Sequence, residues 1–174
     1  ISISEYPDYP KSYWIDGIRL RKCETQLSTQ GQLAGIKHLN RLEQVLARRE
    51  WNDEFQEGLM TDSTGNVIEC VMSNIFIVSD NSLTTPDLSG SGVNGILRDS
   101  VLKLCDLNSI RVNVKAVSLN DVHEADEVFV TNSVIGIWPV KMLGNINFNV
   151  GKMTKDIQNM LIDMYKVDYA AINL

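Results

Sequence analysis

The sequence predicts a mixed α/β domain of α+β character, with a largely antiparallel sheet and helices on its outside. Two patterns carry that expectation. Three segments repeat apolar residues at helical spacing: Leu39, Leu42, Val45 and Leu46; Ile96, Leu97, Val101, Leu104 and Cys105; and Met153, Ile157, Met160, Leu161, Met164 and Tyr165. Around them run short stretches that alternate or are wholly apolar, bounded by turn residues, as strands joined by hairpins are.

In chain order, Ile1-Ser2-Ile3-Ser4-Glu5 alternates as a strand does, and Tyr6-Pro7-Asp8-Tyr9-Pro10 then places two prolines in a semi-rigid, extended connection. Residues 1–11 therefore read as the last strand of a preceding domain plus a linker, and 12–174 as one further domain. Ile18 and Leu20 alternate with Arg19 and Arg21, a half-buried strand within 12–26. A loop over 28–31 precedes a helix expected to run to about Trp51. The cluster Asp62-Ser63-Thr64-Gly65 makes a hairpin of 59–61 and 67–70. Ile75-Phe76-Ile77-Val78 is a buried strand, paired with 82–85 and ended by Pro86.

The glycine-rich loop 89–95 opens the helix at Ile96. A strand spans 111–117, with Val112 and Val114 on one side. Ser118, with Asp121 three residues on, caps a short helix. Val128-Phe129-Val130 and 137–142 are core strands. The methionines of the last helix fill core space, and residues 170–174 are expected to fray.

Composition narrows the classes of function. The net charge is -6 and the basic residues are scattered, which argues against a nucleic-acid groove. No apolar run reaches membrane-spanning length. Cys23, Cys70 and Cys105 are far apart without CxxC spacing, which fits a reducing, cytoplasmic setting and gives no zinc framework. His38 and His123 are the only histidines, so a multi-histidine metal site is excluded and no metal is expected.

Lys37 stands between a glycine-containing loop and the first apolar-periodic segment, which places it at or just before a first helical turn. A desolvated lysine beside the positive end of a helix has its neutral amine favoured, and neutral amines form Schiff bases. A lysine at a helix start is ordinarily only a solvated charge. Its company points further. Gly35-Ile36-Lys37-His38-Leu39-Asn40-Arg41, Thr64-Gly65-Asn66-Val67-Ile68-Glu69-Cys70, Ser73-Asn74-Ile75-Phe76, Gly92-Val93-Asn94-Gly95-Ile96-Leu97-Arg98, Thr131-Asn132-Ser133 and Trp138-Pro139-Val140 follow in that order. Together they resemble the fold-type IV pyridoxal-phosphate enzymes: branched-chain aminotransferases, D-amino acid aminotransferases and, nearest, aminodeoxychorismate lyase.

That resemblance implies a D-amino acid aminotransferase-like large C-terminal domain, its sheet strongly curved into a pseudo-barrel. It implies pyridoxal 5'-phosphate as cofactor and a homodimer with the active site near the subunit interface. Such a cofactor needs an anchoring amine, an acid at its ring nitrogen, donors for its phosphate and walls for its ring. By resemblance Lys37 is the anchor and proton shuttle, and Glu69 holds the ring nitrogen protonated. The phosphate has two candidate cradles: the amides of Ile96 and Leu97 at a helix start, and Asn132 with Ser133 after a strand. Relatives often carry threonine where Leu97 stands, whereas the lyases commonly have an apolar residue, which tilts the choice toward the lyase. Val93 packs on one face of the ring. Asn40 and Asn74 fix backbone, Arg98 makes a structural salt bridge, and His38 stays outside the chemistry.

The implied reaction converts 4-amino-4-deoxychorismate to 4-aminobenzoate and pyruvate, for folate synthesis. Two alternatives stand beside it: an aminotransferase for branched-chain or D-amino acids, and an inactive, self-associating fragment. A phosphate-binding arginine from the small domain of the family maps to no residue here, so weakened cofactor affinity and little activity are expected of this chain, which reads as a truncated fragment.

Overall fold

The computed structural model describes residues 5–166. The strand expected over residues 1–5 falls almost wholly outside that span, as does the fraying end at 170–174. The elements run α1 (Ser12–Ile15), β1 (Ile18–Lys22), α2 (Leu42–Arg48), β2 (Glu57–Thr61), β3 (Asn66–Cys70), β4 (Asn74–Ser79) and β5 (Ser82–Pro86). They continue as α3 (Ile96–Leu107), β6 (Val112–Lys115), β7 (Val117–Ser118), α4 (Leu119–His123), β8 (Glu127–Asn132), β9 (Gly136–Leu143), β10 (Ile146–Asn147) and α5 (Lys152–Tyr165).

All the strands join one sheet, in the order β6-β5-β4-β8-β9-β1-β2-β3-β7, with β10 beside β9. Most junctions are antiparallel, as expected from the hairpins. The exceptions are β1, parallel to both β2 and β9, and β6, parallel to β5. Among the described residues the outer strands β6 and β7 do not pair with each other, so the sheet is not a closed barrel.

Strand periodicity sorts the core. On β4, Ile75 and Ile77 enter one apolar cluster with Ile18, Leu20, Leu59 and Trp138, while Phe76 and Val78 enter another. On β8, Val128 and Val130 join the first and Phe129 the second, where it stacks on Phe76 at 4.9 Å. Successive side chains on a strand face opposite ways. The uninterrupted apolar runs are therefore strands buried on both faces. The second cluster is closed from outside by Leu97, Val101 and Leu104 of α3 and Ile157 and Leu161 of α5. A third cluster lies under α2, around Cys23, Ala47, Trp51 and Met60.

Three local outcomes differ from the sequence reading. The short helix α1 was not expected; it is pinned where Trp14 Nε1 donates to the Ile135 carbonyl at 2.7 Å. The first long helix starts at Leu42, leaving Lys37 in the preceding loop. Its apolar stripe has the expected period but faces outward: Leu39, Leu42, Val45 and Leu46 are all exposed, and α2 buries Gln44 and Ala47 instead. The cause is local. Gly35, at φ +77, forms a bridge to Val93, donating to the Gly92 carbonyl at 2.9 Å and accepting from the Asn94 N–H at 3.0 Å. That bridge holds the loop extended ahead of α2. The last helix buries Ile157 and Leu161 as expected, yet Met164 and Tyr165 are exposed. Ser118 caps α4 in a reciprocal capping box with Asp121. Among the described residues no helix is long and apolar enough to cross a membrane.

Candidate active site

A cavity of about 590 Å³ opens between the 37–41 loop, the end of β3, the 71–74 turn, the start of α3 and the turn after β8. Tyr9 reaches it from the linker, held edge-on against Trp138 at 4.8 Å. Lys37, Glu69, Val93, Ile96, Leu97, Asn132 and Ser133 all lie on its wall, so the structure brings every sequence-selected residue to one place. Lys37 is exposed there, and its support is the Gly35–Val93 bridge rather than a helical turn.

Glu69 faces the cavity from β3 and is only 2% exposed. Its Oε2 accepts the Val93 N–H at 2.8 Å, and the Val93 carbonyl accepts from Asn74 Nδ2 at 2.8 Å. Close approach of this backbone needs glycine on either side. A Cβ on Gly92, at φ +85, would lie 2.8 Å from Ile68 Cγ2, and one on Gly95 would lie 2.2 Å from Asn74 Oδ1. Burial raises the Glu69 carboxyl above its ordinary range, opposed by the Val93 N–H, Arg41, Gln44 and Lys37. Glu69 Oε1 is buried and accepts no hydrogen bond; the Arg41 guanidinium, 3.7 Å away, offers charge without one. An orphaned carboxylate oxygen costs about 1–3 kcal/mol, so a proton donor brought into the cavity is favoured at this atom.

The other end of the cavity suits an anion. The N-cap of α3 is Gly95, with no side-chain cap, so the first amides of the helix lack intrahelical partners. Those free amides and the helix dipole favour negative charge. The Leu97 side chain is turned away, 4% exposed within the second cluster, so only its amide serves the cavity. Ser133 is exposed beside it. Asn132 is otherwise engaged: Nδ2 donates to the Met72 carbonyl at 3.0 Å, and Oδ1 accepts the Val134 and Ile135 N–H groups at 2.8 and 3.0 Å. It therefore shapes the turn that presents Ser133.

Arg98 stays out of the cavity. It donates to Asn94 Oδ1 at 2.7 Å and the Pro86 carbonyl at 3.0 Å, while its ion pair with Asp99 is stretched to 3.9 Å. Its role is structural, but more through carbonyl groups than through the expected salt bridge. Cys70 lines the cavity, yet burial lifts its thiol well above the ordinary range and removes it as a nucleophile. Arg41 and Glu57 were missed by sequence reasoning. Arg41 stands four residues past Lys37, but without a helix that spacing carries no facing information, and Glu57 reads as a solvated strand-end charge.

An acid with one oxygen that accepts no hydrogen bond, an amine and an anion cradle thus share one cavity. Residues 1–143 match the class IV amino-transferase family, and the chain belongs to that family. It is 38% identical over 166 residues to aminodeoxychorismate lyase of Vibrio harveyi, covering 92% of this chain and 61% of that protein. It is 32% identical over 114 residues to the branched-chain-amino-acid aminotransferase of Escherichia coli, covering 64% of this chain and 37% of that one. The crystal structure of 4-amino-4-deoxychorismate lyase from Pseudomonas aeruginosa superposes with a TM-score of 0.90 at 45% identity, covering 93% of this chain and 60% of that chain. The chain thus spans about three fifths of the length of the lyases it matches. An aminotransferase from Brucella abortus that shares the fold, at TM-score 0.75 and 24% identity, holds pyridoxal phosphate; 94% of this chain and 58% of that one are covered.

Proposed function

We propose that the protein is the cofactor-binding part of a pyridoxal-phosphate-dependent lyase that converts 4-amino-4-deoxychorismate to 4-aminobenzoate and pyruvate. The observation that carries this reading is the unpartnered Oε1 of Glu69 on the same cavity as Lys37. Identity to lyases over nearly the whole chain supports it.

The residues present fit the cofactor. Lys37 would hold its aldehyde carbon, Glu69 Oε1 its ring nitrogen, and Val93 one face of its ring. The amides of Ile96 and Leu97 and the Ser133 hydroxyl would hold its phosphate, with Asn132 fixing the turn. When bound, pyridoxal phosphate supplies an electron sink for the pair left at the amine-bearing carbon. With the cofactor bound, Lys37 would serve as the base that takes the proton from the amine-bearing carbon. Glu69 keeps a proton on the ring nitrogen; at about 4 Å and an effective dielectric near 20 that attraction is about 4 kcal/mol before desolvation. The ring C–O bond would then break, the departing enolate would take the proton held by Lys37 at its methylene carbon to become pyruvate, and the aromatic ring left behind would make the step irreversible.

The decisive experiment loads the protein with pyridoxal phosphate, reduces it with borohydride and maps the adduct by mass. One adduct on Lys37, absent in Lys37→Ala, supports the reading; labelling elsewhere refutes it. Pyruvate release from 4-amino-4-deoxychorismate then tests the reaction. The likeness to the Escherichia coli enzyme favours a second reading, an aminotransferase. In that case an amino donor alone converts the cofactor to its pyridoxamine form and no pyruvate is released. We further propose a homodimer acting in the cytoplasm, without nucleic-acid or membrane partners. The exposed stripe of Leu39, Leu42, Val45 and Leu46 supports an interface, and three free, buried cysteines suit a reducing compartment.

A further inference from the structure

The cavity wall between β3 and β4 is held from behind by an acid that the proposed chemistry does not use. Glu57, the first residue of β2, is 1% exposed. Its Oε1 accepts the Gly58 N–H at 3.0 Å, and its Oε2 accepts the Met72 N–H at 2.9 Å and the Ser73 hydroxyl at 2.8 Å. The turn fixed in this way passes the constraint onward. The Met72 carbonyl accepts from Asn132 Nδ2, and Asn132 Oδ1 then gathers the Val134 and Ile135 amides around Ser133. An unbroken line of hydrogen bonds therefore joins an acid on β2 to the turn after β8.

Among the described residues no ion pair reaches the acid at the head of this line. The titratable groups that face it are Glu69 from β3, Tyr9 from the linker and the thiols of Cys23 and Cys70. None carries positive charge. Burial, joined by the negative charge of Glu69, pushes Glu57 up to about 7, against the pull of the Gly58, Ser73 and Met72 donors. An ionised carboxylate accepts from all of those donors. A protonated one carries its hydrogen most readily on Oε1, which accepts only the Gly58 N–H, and Oε2 then holds the Met72 and Ser73 donors without the charge that strengthens those bonds.

We propose that Glu57 is a positioning residue: its ionised carboxylate sets the phosphate end of the cavity, acting through the 71–73 turn and Asn132 on Ser133, and protonation slackens it. The phosphate assignment rests on the cofactor reading above, but the relay itself does not. The experiment therefore has two arms.

The first uses the protein without cofactor and follows it by heteronuclear NMR from about pH 5.5 to about pH 8.5. The Met72 backbone amide and the Asn132 side-chain amide should titrate together with one midpoint near neutrality, and neither should titrate in Glu57→Gln. A moving Met72 beside a still Asn132, or an unchanged titration in the variant, overturns the relay.

The second arm compares affinity for pyridoxal 5'-phosphate with affinity for pyridoxal, which lacks the phosphate. At about pH 8, Glu57→Gln should weaken the phosphorylated ligand about tenfold and the other less than about twofold. The advantage of the native protein should vanish as the pH falls through the NMR midpoint. Equal losses for both ligands overturn the proposal. Ser73→Ala, which removes one donor and leaves the acid, should give the same selectivity at about threefold and serves if Glu57→Gln does not fold. Failure of the native protein to form a Lys37 adduct would count against the cofactor reading alone, and the NMR arm would still decide the relay.

Discussion

Glu69 and Val93 form one unit: the Glu69 Oε2 accepts the Val93 N–H at 2.8 Å, which commits that oxygen and leaves Oε1 for the cavity. Asn74 closes the other end of the same peptide by donating to the Val93 carbonyl. The acid meant for the ring nitrogen and the residue meant for the ring face therefore cannot move independently. A bond of about 1 kcal/mol net matters here less for its strength than for the direction it imposes.

Glu69→Gln should separate charge from shape. The amide keeps an oxygen for the Val93 N–H and turns an NH2 group toward the cavity, where it cannot accept a proton from a ring nitrogen. Pyruvate release should fall about 100-fold to 1000-fold, while the borohydride adduct on Lys37 still forms. A variant with native turnover would show that Glu69 does not govern the chemistry.

Gly92→Ala should destabilise the chain more than Gly65→Ala, although both glycines have positive φ, +85 and +88. At Gly65 a new Cβ meets nothing within 4 Å, so the cost is the left-handed backbone alone, about 1–2 kcal/mol. At Gly92 it meets Ile68 Cγ2 at 2.8 Å and Leu88 Cδ2 at 2.9 Å, which adds overpacking of about 1–3 kcal/mol. Urea denaturation of the two variants measures the difference. The Gly92 variant should also lose cofactor affinity, because Val93 is the next residue.

Local chemistry was legible in the sequence and burial of charge was not. The α3 boundary and the Ser118 cap depend on near neighbours, and both stand where the pattern placed them. The double-sided burial of β4 and β8 was written in their unbroken apolar runs. The parallel pairing of β1 with both β2 and β9 was invisible, since periodicity names a face but never a partner. The outward stripe on α2 misled for a related reason: periodicity marks the apolar face of a helix but not whether a core lies against it. On the cavity, Lys37, Glu69 and Ser133 were found through the order of short motifs. Arg41 on its wall and Glu57 behind it were not, because a lone sequence cannot tell a buried or half-buried charge from a solvated one.

Leu42→Glu and Leu46→Glu test the outward stripe. Leu42 is 64% and Leu46 45% exposed, so charge at either position should change folding stability by no more than about 0.5 kcal/mol. If the stripe joins two copies, sedimentation should show a dimer for the native chain and a monomer for the double variant. Equal masses for both would remove α2 from the interface.

The last prediction concerns acid and base stability, and its sign runs against the usual trend. Glu57 rises from the ordinary 4.5 to about 7 on folding, so between those values the folded chain holds a proton that the unfolded chain has released. Stability from this group is fully present below about pH 4.5 and is lost as the pH climbs through about 7, by about 3 kcal/mol in all. Asp121, held below its ordinary range by the Ser118 hydroxyl and N–H, works in the opposite sense, but only at pH values under the carboxylate range. From about pH 5 to about pH 8 the Glu57 slope therefore stands clear of it. Urea midpoints should fall across that interval in the native chain and fall less steeply in Glu57→Gln, where Glu69, also raised by burial, still contributes. A native chain whose midpoint does not fall over that interval would show that Glu57 takes up no proton on folding. With the expected slope the fold is most stable in mild acid, where protonation of Glu57 lets the 71–73 turn slacken, and the ordered cavity is kept at a standing cost in stability.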